Sequence, residues 1–140
     1  MSLLCHNIFI TTLKNMPAKK TKKILIVEDD RALAKALAVT LVKEGFSTKV
    51  AFDGEEGLKI LETEKYDLVL LDLMMPKVNG IEFLKEIRAR KIDIRAIVLS
   101  NLSQEKDEKV ARELGAVEYF VKSDTQLCRI AQKIKDLFGS

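Results

Sequence analysis

At 140 residues, 47% hydrophobic and 32% charged, the chain fits one domain with a single sizeable core. No apolar run reaches the roughly 18 residues that a membrane span needs. The only histidine is His6, and Cys5 and Cys128 lack any CxxC spacing, which excludes histidine catalysis in the body, a structural zinc site and a disulfide framework. The formal charge of +3 is uneven: residues 1–23 carry five Lys and no acid, leaving 19 basic against 21 acidic side chains over 24–140, a net of −2. That mildly acidic body argues against a nucleic-acid-binding surface as its main purpose.

Residues 1–22 read as a flexible N-terminal extension. Leu3-Leu4 and Ile8-Phe9-Ile10 are interrupted by His6-Asn7 and lack a basic leader, so they make a poor signal peptide, and no membrane insertion is expected. Met16 would serve as an alternative start. The basic run Lys19-Lys20-Thr21-Lys22-Lys23 could act as a weak tether to an acidic partner.

From residue 23 to 140 the chain reads as one domain. Ile24-Leu25-Ile26-Val27 is a continuous aliphatic run, the pattern of a strand buried on both faces, and it ends in Glu28-Asp29-Asp30. Helical spacing follows from Ala32 to Leu41, capped by Asp30 and closed by Gly45. Phe46 to Phe52 alternates as a strand, and Asp53-Gly54 opens a second helix that closes near Lys65. Leu68-Val69-Leu70-Leu71 is the third strand. It ends in a lone carboxylate, Asp72, followed by Leu73-Met74-Met75-Pro76.

Asn79-Gly80 begins a third helix to Arg90, and Ile94–Leu99 is a fourth strand leading to Ser100-Asn101. Ser103 is expected to cap a polar fourth helix ending at Gly115. Val117–Val121 is the fifth strand, ending at Lys122, and Ser123 or Asp124 would cap the last helix. Five strands alternating with five helices imply an α/β, doubly wound, five-stranded parallel sheet with right-handed crossovers.

In such a sheet, ligands bind at the carboxyl ends of the strands, where strand order reverses. Glu28-Asp29, Asp72, Ser100 and Lys122 all fall at that edge. Clustered carboxylates repel unless a cation joins them. With no soft ligand present, a hard cation such as Mg²⁺ is indicated. Lys122 and Ser100 could hold phosphoryl oxygens. A carboxylate can itself be the nucleophile, and Asp72, alone at the end of the central strand, is the candidate acceptor.

Ile24-Leu-Ile-Val-Glu-Asp-Asp30, Leu68-Val-Leu-Leu-Asp-Leu-Met-Met-Pro76 with Asn79-Gly80, Val98-Leu-Ser-Asn101 and Tyr119-Phe-Val-Lys122 together resemble the receiver domain of two-component response regulators, of a stand-alone, single-domain type. The resemblance is collinear over about residues 23 to 138. It implies a flavodoxin-like fold with strand order 2-1-3-4-5 and a cytoplasmic phosphorylation-activated switch. It also implies Mg²⁺ held by Glu28, Asp29, Asp72 and the Met74 backbone carbonyl. Asp72 would accept phosphate from a histidine kinase or phosphotransfer protein, with Lys122 and Ser100 binding the phosphoryl group. Ser100 and Tyr119 would form the switch, Tyr119 turning inward as Ser100 is drawn to the phosphoryl group. The changed surface would be the fourth helix, fifth strand and fifth helix, acting on an unknown protein target or in a phosphorylation-dependent dimer, with no direct nucleic-acid contact. The domain would be no conventional enzyme, catalysing only its own phosphorylation and slow dephosphorylation.

Three features depart from the commonest family pattern. Ser123 follows Lys122 where a proline in a cis bond is usual, leaving a strained cis or an ordinary trans bond open. Asn101 is larger than the usual neighbour of Ser100. Met74 and Leu102 are apolar and cannot orient water, so phosphoryl decay should be slow, and polar residues there should speed it. Among rival readings, a flavin module would need a Ser/Thr/Gly-rich phosphate loop where Glu28-Asp29-Asp30 stands. An aspartyl phosphatase would want an acid where Met74 stands. The remaining alternative is a phosphorylation-independent pseudo-receiver acting as a protein-interaction module.

Overall fold

The computed structural model describes residues 21–75, 77–101 and 105–139. The elements run β1 Lys23–Val27, α1 Arg31–Lys43, β2 Ser47–Ala51, α2 Gly54–Thr63, β3 Leu68–Leu71, α3 Gly80–Ala89, β4 Arg95–Ser100, α4 Glu105–Glu113, β5 Ala116–Val121 and α5 Leu127–Leu137. All strand pairs are parallel, in the order β2-β1-β3-β4-β5. The expected doubly wound architecture is thus the observed one.

Strand alternation sorts the core into two layers. Ile24, Ile26, Leu68, Leu70, Ile97 and Leu99 pack with α1 and α5 residues such as Leu37, Leu41, Ile130 and Ile134. Leu25, Val27, Val69, Leu71 and Val98 pack with Leu58 of α2, Phe83, Leu84 and Ile87 of α3 and Ala111 of α4. Every residue of β3 is buried, as its unbroken aliphatic run requires.

Local signals were largely obeyed. Asp30 caps α1 by accepting from the Leu33 N–H at 3.1 Å. Gly45, at φ 95°, ends α1 with Phe46 N–H bonded to the Leu41 carbonyl and its own N–H to Val42. Asp53 caps α2 through the Glu56 N–H, and the Glu56 carboxylate accepts from the Phe52 N–H in return.

Two expectations need correction. Neither Ser123 nor Asp124 caps α5. Residues Lys122–Asp124 form a 3₁₀ turn instead, and α5 starts after Gln126 with no side-chain cap. The Thr125 hydroxyl donates to the Val121 carbonyl at 2.8 Å, closing the turn before the helix begins. Second, the open alternative at Lys122–Ser123 resolves to a trans bond. The N-terminal extension through Lys20, with Cys5, His6 and Met16, lies outside the described residues. So do Pro76, Leu102 and the expected cap Ser103. Among the described residues, no helix is long and apolar enough to cross a membrane.

Candidate functional site

The sheet ladder itself places the acids. One residue past β1, the Glu28 N–H donates to the Ala51 carbonyl at 3.0 Å. One residue past β3, the Asp72 N–H donates to the Val27 carbonyl at 3.0 Å. Their side chains therefore emerge at neighbouring strand ends, beside the reversal of strand order at β1. Both are buried, at 2% and 4% exposure, while Asp29 is open to solvent.

Each buried acid is oriented by backbone. A Glu28 oxygen accepts from the Asp30 N–H at 3.1 Å, and Asp72 Oδ1 accepts from the Met74 N–H at 3.0 Å. Lys122, delivered by the end of β5, bridges the other oxygens, with Nζ 2.6 Å from Glu28 Oε1 and 3.0 Å from Asp72 Oδ2. Burial, reinforced by the charge of Asp72, pushes the Glu28 carboxyl up to about 7 against the opposing bonds from Lys122 and Asp30. Burial pulls the Lys122 ammonium down, but its bonds to Glu28 and Asp72 outweigh that and hold it above the usual lysine value.

One ammonium between two buried carboxylates leaves the crevice short of positive charge. Carboxylate oxygens of Glu28, Asp29 and Asp72 lie within 4.8 Å of one another, so one ion could contact all three. The donors are all hard oxygens, two buried and one open to solvent. That composition fits a small divalent cation that keeps part of its water. The Lys122 ammonium shows that a cation is already well placed between Glu28 and Asp72.

Ser100 ends β4 and is fully buried. Its hydroxyl hydrogen-bonds with Tyr119, which is itself buried. Burial and then the charge of Asp107 on α4 push the Tyr119 phenol up. Met74 is 59% exposed beside the site. A groove of about 670 Å³ opens there, floored by Leu73, Met75 and Ile81 and edged by Lys85 and Asp107.

Sequence reasoning singled out Glu28, Asp29, Asp72, Met74, Ser100, Tyr119 and Lys122, but not the groove residues Lys85 and Asp107, and it missed two further features. The direct Lys122–Glu28 pair has no signature in one sequence, because it depends on β5 running past the level where β1 ends, with β3 and β4 between them. The second is the support beneath the loop after Asp72. Gly80 has room for no side chain: a Cβ would lie 2.5 Å from Leu73 Cα and 2.6 Å from the Asp72 carbonyl oxygen. Its N–H instead closes the loop onto the Leu73 carbonyl at 3.0 Å. The Asn79-Gly80 pair was read as a helix start and as part of the family motif, not as support for this loop.

Residues 24–135 match the family model described as the response regulator receiver domain, and the chain belongs to that family. Among curated relatives, the alkaline phosphatase synthesis transcriptional regulatory protein PhoP of Bacillus subtilis is 42% identical over 101 residues, covering 72% of this chain and 42% of its own. The transcriptional regulatory protein CpxR of Klebsiella pneumoniae is 46% identical over 100 residues, covering 71% and 42%. The chain thus spans less than half the length of these relatives. Among solved structures, a Francisella response regulator receiver domain superposes with TM-score 0.80 at 30% identity, over 84% of this chain and 97% of that one. The response regulator TrrA of Thermotoga maritima, solved with Mg²⁺ and BeF, gives TM-score 0.74 at 36% identity, over 84% and 99%.

Proposed function

We propose that this chain is a phosphorylation-activated switch in which Asp72 accepts a phosphoryl group from a histidine kinase or phosphotransfer protein. The observation that carries the reading is the buried Asp72 carboxylate, held by Lys122 and grouped with Glu28 and Asp29 at the strand-order reversal. An Asp72 oxygen attacks phosphorus, and the donor's P–N bond breaks with its electron pair passing to the imidazole nitrogen. Asp72 is pre-aimed by the Met74 N–H, so little reorganisation precedes attack. Lys122 stays within reach of the new phosphoryl oxygens as a point charge. Glu28, Asp29, Asp72 and the Met74 carbonyl would hold Mg²⁺, which supplies the remaining positive charge.

Ser100 then has two competing partners, Tyr119 and the phosphoryl group. Exchanging the first for the second releases Tyr119 from its bond and biases the packing of α4, β5 and α5, a shift between two arrangements of one fold. That face would signal by protein contact or by forming a dimer, within the cytoplasm. The acidic balance of residues 24–140 supports protein rather than direct nucleic-acid contact. Exposed, apolar Met74 supports slow loss of the phosphoryl group, since it cannot orient water.

The test is intact-mass spectrometry after incubation with Mg²⁺ and a small phosphodonor. Wild type should gain one phosphoryl mass and Asp72→Asn none. An adduct on both, or on neither, removes the assignment.

A further inference from the structure

The loop after Asp72 is pressed from a second side, by the start of α2. Gly54 is buried although it opens a helix, and it adjoins the loop rather than solvent. A Cβ there would lie 2.2 Å from the Val78 carbonyl oxygen and 2.9 Å from Val78 Cβ. The obstacle is backbone, which cannot swing aside as a long side chain can. Beside it, Lys77 Nζ lies 3.5 Å from Asp53 Oδ2. Asp53 is itself fixed, because its other oxygen caps α2 through the Glu56 N–H at 2.8 Å. Lys77 sits at φ 64°, a left-handed conformation that a lysine seldom keeps without surroundings that hold it.

We propose that Asp53 and Gly54 are positioning residues that seat Lys77 and Val78 and so set the Met74 carbonyl and the Asp72 carboxylate for a divalent cation. The proposal rests on the reading of the Asp72 crevice given above.

Two features favour this over a purely local role. Gly54 is not in a left-handed conformation, and alanine is the better helix former, so the helix by itself offers no reason for glycine. The reason lies in the loop. Second, the loop is closed at its neck, where Gly80 is bonded to Leu73 and packed on the Asp72 carbonyl. Val78 lies two residues before Gly80, so its displacement bears on that neck, next to Asp72 and Met74. The steric seat carries most of the effect. The Lys77–Asp53 pair is a lesser guide, since the lysine side chain is 61% exposed.

Gly45 supplies the control. It also resists substitution, at φ 95°, but a Cβ there meets nothing, and it lies at the far end of α1. Mg²⁺ alone is titrated by calorimetry into wild type, Gly54→Ala and Gly45→Ala, with thermal denaturation of each. Both variants should melt lower than wild type. Gly54→Ala should bind Mg²⁺ about tenfold more weakly, as loss of support behind a metal ligand does, while Gly45→Ala should stay within about twofold of wild type on the same principle. Gly54→Ala binding like wild type overturns the proposal.

If Gly54→Ala does not fold, Asp53→Asn keeps the cap but loses the charge facing Lys77. Asp53→Asn and Lys77→Met should each weaken Mg²⁺ about two- to threefold, and together no further, as members of one pair do. Unchanged binding in both overturns the seat. A wild type that binds no Mg²⁺ fails differently, and removes the reading of the crevice along with it.

Discussion

Helices α3 and α4 border the same groove beside Asp72, yet they are held in opposite ways. α3 buries Gly80, Phe83, Leu84 and Ile87, and its first turn is capped by Asn79, which accepts from the Glu82 N–H at 2.9 Å. Among the described residues of α4, Ala111 alone is buried, and the first turn carries Glu105, Asp107 and Glu108. Polar ties replace the missing apolar contact. Arg88 of α3 donates to the Leu114 and Gly115 carbonyls at 2.8 and 3.1 Å, clamping the end of α4. Arg112 bridges Glu108 within α4 and Glu118 on β5, at 2.9 and 2.8 Å. Lys133 of α5 reaches the same Glu118 at 3.4 Å. Apolar burial resists displacement, whereas exposed ion pairs exchange with water at small cost. Asp72 therefore stands between a rigid wall and one that can move.

The contrast fails most visibly if α3 proves dispensable. Phe83 is fully buried, so Phe83→Ala should cost about 3–5 kcal/mol in urea unfolding. Gly115→Ala comes next. A Cβ there would lie 2.1 Å from the Arg88 guanidinium, at a φ of 100°. The left-handed backbone alone should cost about 1–2 kcal/mol, and losing the clamp should speed amide exchange in α4 while leaving α3 protected. Equal acceleration in both helices would mean that they open as one unit.

Arg112→Ala should cost about 1 kcal/mol or less, because its pairs are exposed, and 0.5 M salt should mask the difference. The Lys122 pairs are the opposite case, with partner side chains only 3% and 5% exposed, and the same salt should leave them intact.

A separate effect is in pH. The Glu28 carboxyl is raised from 4.5 to about 7, so the folded state prefers it protonated. Its contribution to stability is full below pH 4.5 and is lost as pH rises toward and through 7. With chelator present, melting temperature should carry a downward component across that window, and Mg²⁺ should restore more at pH 8 than at pH 6. Restoration independent of pH would place the cation away from Glu28.

Most of the site was legible because the relevant signals are local. Unbroken aliphatic runs report strands buried on both faces, and a polar residue ending such a run falls at the ligand-binding edge. That logic located Glu28, Asp29, Asp72, Ser100 and Lys122 before any contact was known. It failed at the start of α5. Ser123 and Asp124 are good cap residues, but Lys122 must reach back to Glu28 and Asp72, and the chain spends those positions on a 3₁₀ turn. The bond between Ser100 and Tyr119 was not legible either: a buried Ser100 hydroxyl needs a partner, and Tyr119 supplies one from the neighbouring strand.

By itself, the sequence determined the alternation of elements, the two-layered core and the residue types that meet at one sheet edge, since period and strand ends are properties of short segments. Only the tertiary structure decided that one ammonium serves both buried acids, that α4 is tied by charge rather than packing, and that Gly54 abuts Val78, more than 20 residues away. Those facts depend on the distance between side chains from different elements. Sheet register and loop packing set that distance, and no spacing along the chain encodes it.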